Sequence, residues 1–206
     1  MFKSKEIRWF NKGINNSIIN WFSKQGLSFE IINPRTDYYL VAIDKDDIAP
    51  KLREGNVEIK HRIGKSKKHQ LLPNVVGYFE QWIKWSFKLD GNDPLSEKII
   101  NLNQNDTEWM KVEKQRMGLK LVKGKNGIIE IHNIKDFVNS GCQIEYTQII
   151  VMNQKWYSFN LEWFREDFLN ISPSFYNEVF GGSILKLEDS MGYGKFLKKL
   201  ANGMSI

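Results

Sequence analysis

Polar and apolar residues alternate one for one in run after run of this chain, which is the period of a β-strand. In the run 57–63, Val57, Ile59, His61 and Ile63 share one face, while Glu58, Lys60 and Arg62 share the other. Lys51 and Arg53 repeat the spacing one run earlier, and Leu27–Ile32 and Asp37–Ile43 read as strands around a break at Pro34. Near the N-terminus Ser4, Glu6, Arg8 and Phe10 alternate with Lys5, Ile7 and Trp9. From Tyr78 to Leu89, the set Glu80, Trp82, Lys84, Ser86 and Lys88 alternates with Phe79, Ile83, Trp85 and Phe87. Trp109–Gly118 carries Lys114 and Arg116 on one face, and Asn126-Gly127 predicts a tight hairpin between 120–123 and 128–132. A second hairpin, Cys142–Met152 with Trp156–Phe164, sets Gln143, Glu145 and Thr147 beside Asn160 and Glu162.

The helical period is rarer. Asn16 or Ser17 caps a helix running to Gln25, with Ile18, Ile19, Trp21 and Phe22 as its apolar face and Gly26 to end it. Short helices are expected at Pro94–Leu102 and Ile134–Asn139, and helical stretches broken by Pro173 and Gly181-Gly182 lead to a last segment, Tyr193–Leu200. Gly64–His69 reads as a basic surface loop. About eight strands result, most with one charged and one apolar face. A two-sheet sandwich would put the charge in solvent, and that reading stays open. The amphipathic helices need a sheet to cover, however, and helices cover a closed barrel from outside. The expected fold is therefore α+β: a closed or nearly closed antiparallel barrel of about eight strands, with a charged lumen and helices packed outside.

Composition narrows the chemistry. The 206 residues, 41% hydrophobic and 26% charged, suit one domain spanning 1–206. A net charge of +6 points to an anionic partner without choosing among nucleic acid, phosphate and membrane. Cys142 is the only cysteine, which excludes an internal disulfide and argues for a reducing compartment. No stretch approaches the roughly 18 apolar residues of a membrane span, so the expected location is the cytoplasm. There is no Walker-type loop and no Cys/His zinc spacing; His61, His69 and His132 take no role. Basic strands with Trp82 and Trp85 could bind single-stranded nucleic acid by stacking. The alternation of aromatic with basic residues argues against it.

The order of the charged strands resembles the CYTH-type triphosphate tunnel family, which includes thiamine and inorganic triphosphatases and class IV adenylyl cyclases. The resemblance runs from Ser4 to about Leu200. It is carried by Asp37-x-Tyr39, Lys51-x-Arg53 and Lys60-x-Arg62, then by Lys84, Lys114, Arg116, Glu145 and Asn160-x-Glu162, and by the terminal Ser190-Met-Gly-Tyr193. It implies a metal-dependent hydrolase of an inorganic or organic triphosphate acting in a basic lumen. Glu6, Glu145 and Glu162 would be the catalytic carboxylates and would hold Mg²⁺ or Mn²⁺. Arg8, Lys51, Arg53, Lys60, Arg62, Lys84, Lys114 and Arg116 would bind the phosphate chain. The family's first strand, E-x-E-x-K, is here Ser4-x-Glu6-x-Arg8, and Asn160 stands where a second late acid is usual. Two lost acids make a non-catalytic tunnel for triphosphate, polyphosphate or nucleotide the alternative.

Overall fold

The computed structural model describes residues 2–29, 34–41, 44–90, 93, 94, 97, 98, 109–165 and 169–203. Its strands are β1 (Phe2–Asn11), β2 (Arg35–Leu40), β3 (Ile48–Arg53), β4 (Asn56–Arg62) and β5 (Lys67–Leu72), then β6 (Val75–Lys88), β7 (Trp109–Lys123), β8 (Ile129–Asn133), β9 (Gly141–Val151) and β10 (Gln154–Phe164). The helices are α1 (Asn16–Lys24), α2 (Pro173–Phe180) and α3 (Tyr193–Ala201).

Every pairing is antiparallel between β1, β10, β9, β7, β2, β3, β4 and β6 in that order, and β6 returns to β1. Eight strands thus close a barrel. β5 and β8 lie off the ring, on β6 and β7.

The two faces of the ring do different work. Ile7, Ile144, Phe159 and Leu161 face outward and join Ile18, Trp21 and Phe22 of α1 and Val179 and Phe180 of α2 in one buried cluster. α1 starts where Asn15 accepts a hydrogen bond from the Ile18 amide (3.2 Å), and α2 starts at Ser172, with Pro173 in the first turn. These helices cover the barrel from outside, as expected.

α3 does not. Phe196 and Leu197 pack with Phe10, Val112, Ile149 and Trp156, which lie at even spacing from Arg8, Lys114, Thr147 and Asn160 on their strands. They belong to the opposite face from the α1 cluster, so α3 closes one end of the barrel from within its rim. Phe196 stacks on Phe10 with ring centroids 3.9 Å apart. The approach is held by Ser190, whose hydroxyl accepts from the Tyr78 amide (2.7 Å), and by the Met191 amide on the Arg8 carbonyl (3.1 Å). Gly192 follows because a Cβ there would come within 2.8 Å of Trp82.

Several local expectations change. The basic segment after Gly64 is not all loop: Lys67–Leu72 forms β5, whose first four residues are exposed and give no apolar alternation. An added strand needs only the free backbone edge of β6, so the side-chain pattern is silent. Trp109–Gly118 and 120–123 are one 15-residue strand, continuous through Gly118, whose bare Cα lies under the Ile134 side chain. The 120–132 hairpin turns through a short 3₁₀ segment, Lys125–Gly127. Ile134–Asn139 is not helical. Asn133 instead accepts from the Lys135 amide while its own amide donates to Asp136, a local turn that competes with a helix. Residues 27–29 are not strand. The rest of the Leu27–Ile32 expectation, residues 42–43 of Asp37–Ile43 and most of the Pro94–Leu102 helix lie outside the described residues.

Candidate functional site

A cavity of about 360 Å³ opens among the barrel strands, with Glu6, Arg8, Lys51, Arg53, Lys60, Lys84, Lys114, Arg116, Glu145 and Glu162 on its wall. Arg35, Tyr39, Glu58, Lys120, Asn160, Arg165 and Tyr193 also reach it. Among the described residues ten basic side chains and four acidic ones therefore line it.

The first cluster is built on Asp37. Alternation on β2 turns Arg35, Asp37 and Tyr39 to one side, and β3 and β7 bring cations from either flank. Asp37 is completely buried. Arg53 grips it with two bonds, Nε to Oδ1 (2.9 Å) and Nη2 to Oδ2 (3.2 Å). Lys114 Nζ donates to Oδ2 (2.6 Å), Arg35 Nε lies at 3.4 Å and Lys51 Nζ at 3.7 Å. Burial alone would raise the Asp37 carboxyl, but Lys114, Arg35 and Arg53 outweigh it and hold the group well below the usual carboxylate range. The same crowding acts the other way on Lys114: burial, with help from Arg35 and Arg53, pushes its ammonium well below the ordinary lysine value. Glu58 shares the load, accepting from Lys51 (2.9 Å) and Arg53 (3.3 Å). Lys114 also donates to the Tyr39 hydroxyl (2.8 Å) and lies 3.9 Å from the ring centre of Tyr193, at the start of α3.

The second cluster spans the barrel. Lys60 on β4 donates to Glu6 on β1 (2.9 Å) and to Glu162 on β10 (3.0 Å). Those strands stand two and three places away round the ring, so the contact crosses the interior. Burial opposes both ionised forms, yet Glu162 and Glu6 hold Lys60 above its ordinary value, and Lys60 draws Glu162 down to about 2. Arg8 lies 3.9 Å from the other oxygen of Glu6, donates to Ser158 (2.9 Å) and stacks 4.8 Å from the centre of Tyr193. Its buried Nε has no hydrogen-bond partner. Asn160, with its amide turned to satisfy both atoms, accepts from Arg8 Nη2 at 3.0 Å.

The remaining candidates divide. Arg116 pairs with Glu145 (3.0 Å), which also accepts from Thr147 (3.1 Å) and Gln143 (3.2 Å). Lys84 is on the wall, 5.2 Å from the ring centre of Phe2. Arg62 is not among the lining residues; it is tied to Glu80 (3.0 Å) and Asp46 (3.1 Å). Arg35, Asp37, Tyr39, Glu80 and Tyr193 escape the sequence-based set of site residues. Arg35-x-Asp37-x-Tyr39 carried an i, i+2 signal, but its weight depends on Lys114, 77 residues further on.

Whether these carboxylates suit a metal can be tested on their partners. Glu6 and Glu162 share Lys60, Glu145 holds Arg116, and Glu58 holds Lys51 and Arg53. Among the described residues no three His, Cys, Asp or Glu side chains come together as a metal site. Glu6, Glu145 and Glu162 in this arrangement do not fit Mg²⁺ or Mn²⁺, which need several oxygen ligands converging on one point.

No protein-family model matches the sequence, and no curated protein matches it. Solved structures similar to the chain include the PH1012 protein from Pyrococcus horikoshii OT3, at 14% identity and a TM-score of 0.38, covering 90% of this chain and 93% of that one. A candidate adenylate cyclase from Bacillus halodurans matches at 7% identity and a TM-score of 0.42 over 90% of this chain and 95% of its own. HpAC1 from Hippeastrum, a candidate adenylyl cyclase with a dominant triphosphatase activity, matches at 9% identity and 0.41 over 100% and 98%. Among the described residues no helix is long and apolar enough to cross a membrane.

Proposed function

We propose that the cavity is the charged lumen of a triphosphate-tunnel-like protein and binds the phosphate chain of a small triphosphate-bearing molecule, inorganic or organic. The observation that carries this reading is the Asp37 cluster: one buried carboxylate meets four cations, two of which also pair with Glu58. Like charges about 6 Å apart repel by roughly 3 kcal/mol at an effective dielectric near 20. An anion of about four charges entering the cavity relieves that repulsion from several sides. Arg8, whose Nε has no hydrogen-bond partner, offers a guanidinium to phosphate oxygens, and Lys51, Arg53 and Lys114 would exchange carboxylate partners for them. Closure of one end by α3 suits a compact anion that enters from the other side.

Hydrolysis is the second reading, favoured by the register that sets Glu6 beside both Glu162 and Glu80 in one row across three strands. With Lys60 and Arg62 holding that row, the residues themselves supply charge stabilisation by Arg8, Lys60 and Arg116 and no metal-dependent step. Calorimetric titration with tripolyphosphate, run beside a phosphate-release assay on tripolyphosphate, thiamine triphosphate and ATP, tests both readings. Arg53→Ala is expected to weaken tripolyphosphate binding by about 10- to 150-fold, the equivalent of about 1.5–3 kcal/mol for one charge-assisted contact. Unchanged affinity in that variant removes the Asp37 cluster from the binding site.

A further inference from the structure

Glu6 and Glu162 are directly opposed on β1 and β10, and both side chains point to the cavity. Two carboxylates so placed repel unless a cation lies between them. Here the cation is already part of the chain. Lys60 Nζ bonds Glu6 Oε2 at 2.9 Å and Glu162 Oε1 at 3.0 Å, and Arg8 approaches the second oxygen of Glu6 at 3.9 Å. Two negative and two positive side chains leave the group neutral, so it has no surplus charge with which to attract a divalent ion. The next acid in the row, Glu80, accepts from Arg62 (3.0 Å) and Ser66 (2.8 Å). Ser4, one turn of the alternation back on β1, brings a hydroxyl and no charge.

We propose that Lys60 is the resident cation of the Glu6–Glu162 pair, occupying the place a divalent ion would need, and that phosphate-chain binding in this cavity is therefore independent of divalent metal. The second half rests on the phosphate-binding reading; the first half does not. A metal could enter only by displacing an ammonium that holds two bonds into a cavity already rich in cations, which the fold makes unfavourable. Lys60 also marks the difference between this chain and one with free paired acids: the ammonium reaches across from β4 and fixes β1 and β10 to it.

The test titrates Mn²⁺ into protein without phosphate and follows the loss of the free-ion paramagnetic resonance signal. Wild type is expected to show no stoichiometric site at millimolar Mn²⁺. Lys60→Met, which keeps the chain length and removes the charge, is expected to gain one site, at least about tenfold tighter than any residual wild-type binding, and Glu162→Gln added to it is expected to abolish that site. One wild-type site lost in Glu162→Gln overturns the proposal, and so does a folded Lys60→Met that gains nothing. Should Lys60→Met fail to fold, the wild-type titration beside Glu162→Gln decides alone. Tripolyphosphate is then titrated into wild type with chelator present: binding supports metal independence, and binding that appears only on adding Mg²⁺ overturns it. Absence of binding in both conditions removes the phosphate reading and leaves the Mn²⁺ result standing.

Discussion

Asp37 holds Arg35, Arg53 and Lys114 within 3.5 Å, and it has no solvent to help it. Taking away one partner of a buried, hydrogen-bonded ion cluster typically costs about 3–5 kcal/mol, because the remaining charges stay buried and face one another. Asp37→Asn is expected to lose about that much unfolding free energy at neutral pH by urea denaturation, and tripolyphosphate is expected to restore part of it. A loss within about 0.5 kcal/mol, the range of an ordinary surface change, contradicts the cluster's role. The pH dependence has a definite sign. The carboxyl is depressed in the folded state, so its stabilising effect is complete above its unfolded value near 4 and is lost as pH falls below it. The Asn variant lacks that acid-side loss. At this scale the sequence was half legible. Lys51, Arg53, Lys60, Arg62, Lys114 and Arg116 are marked by i, i+2 spacing on strands, and the structure places all but Arg62 on the cavity wall. Asp37 was marked only within the Asp37-x-Tyr39 pattern, and neither it nor Glu80 was given a site role, because an acid's importance lies in which cations reach it, and those arrive from other strands.

The elements were legible where hydrophobic periodicity decides them. β1, β4, β9, β10 and α1 fall close to their expected ranges because each buries one face against the rest of the fold. β5 was not legible, since its first four residues are exposed and carry no apolar alternation, and the helix at 134–139 was over-read because Asn133 and Asp136 trap the backbone in a turn. The destination of α3 was also hidden: an amphipathic helix looks the same whether it covers a barrel's flank or stops its end. The packing makes the two separable by experiment. Phe196 is fully buried between Phe10 and Trp156. Phe196→Ala is expected to cost about 3–5 kcal/mol and, by loosening Tyr193 from Lys114 and Arg8, to weaken tripolyphosphate binding as well. Lost stability with unchanged affinity would mean that α3 is only a plug.

For the whole molecule, charge and topology coincide. The chain carries a net +6, and among the described residues the lining of one cavity holds ten basic against four acidic side chains. A closed ring makes this possible because every strand offers its alternate residues to one interior. Barrel closure followed from the sequence only through the helices that needed an outer face; the ring order, with β2 between β7 and β3, required the structure. The exposed lysines Lys67 and Lys68 on β5 are the rival anion surface, suited to a long polyanion. The two sites are told apart most directly by a crystal structure of the protein soaked with tripolyphosphate. The account predicts the phosphate chain inside the barrel, in contact with Lys51, Arg53 and Arg8. Phosphate density along β5, with the interior ion pairs undisturbed, would contradict it.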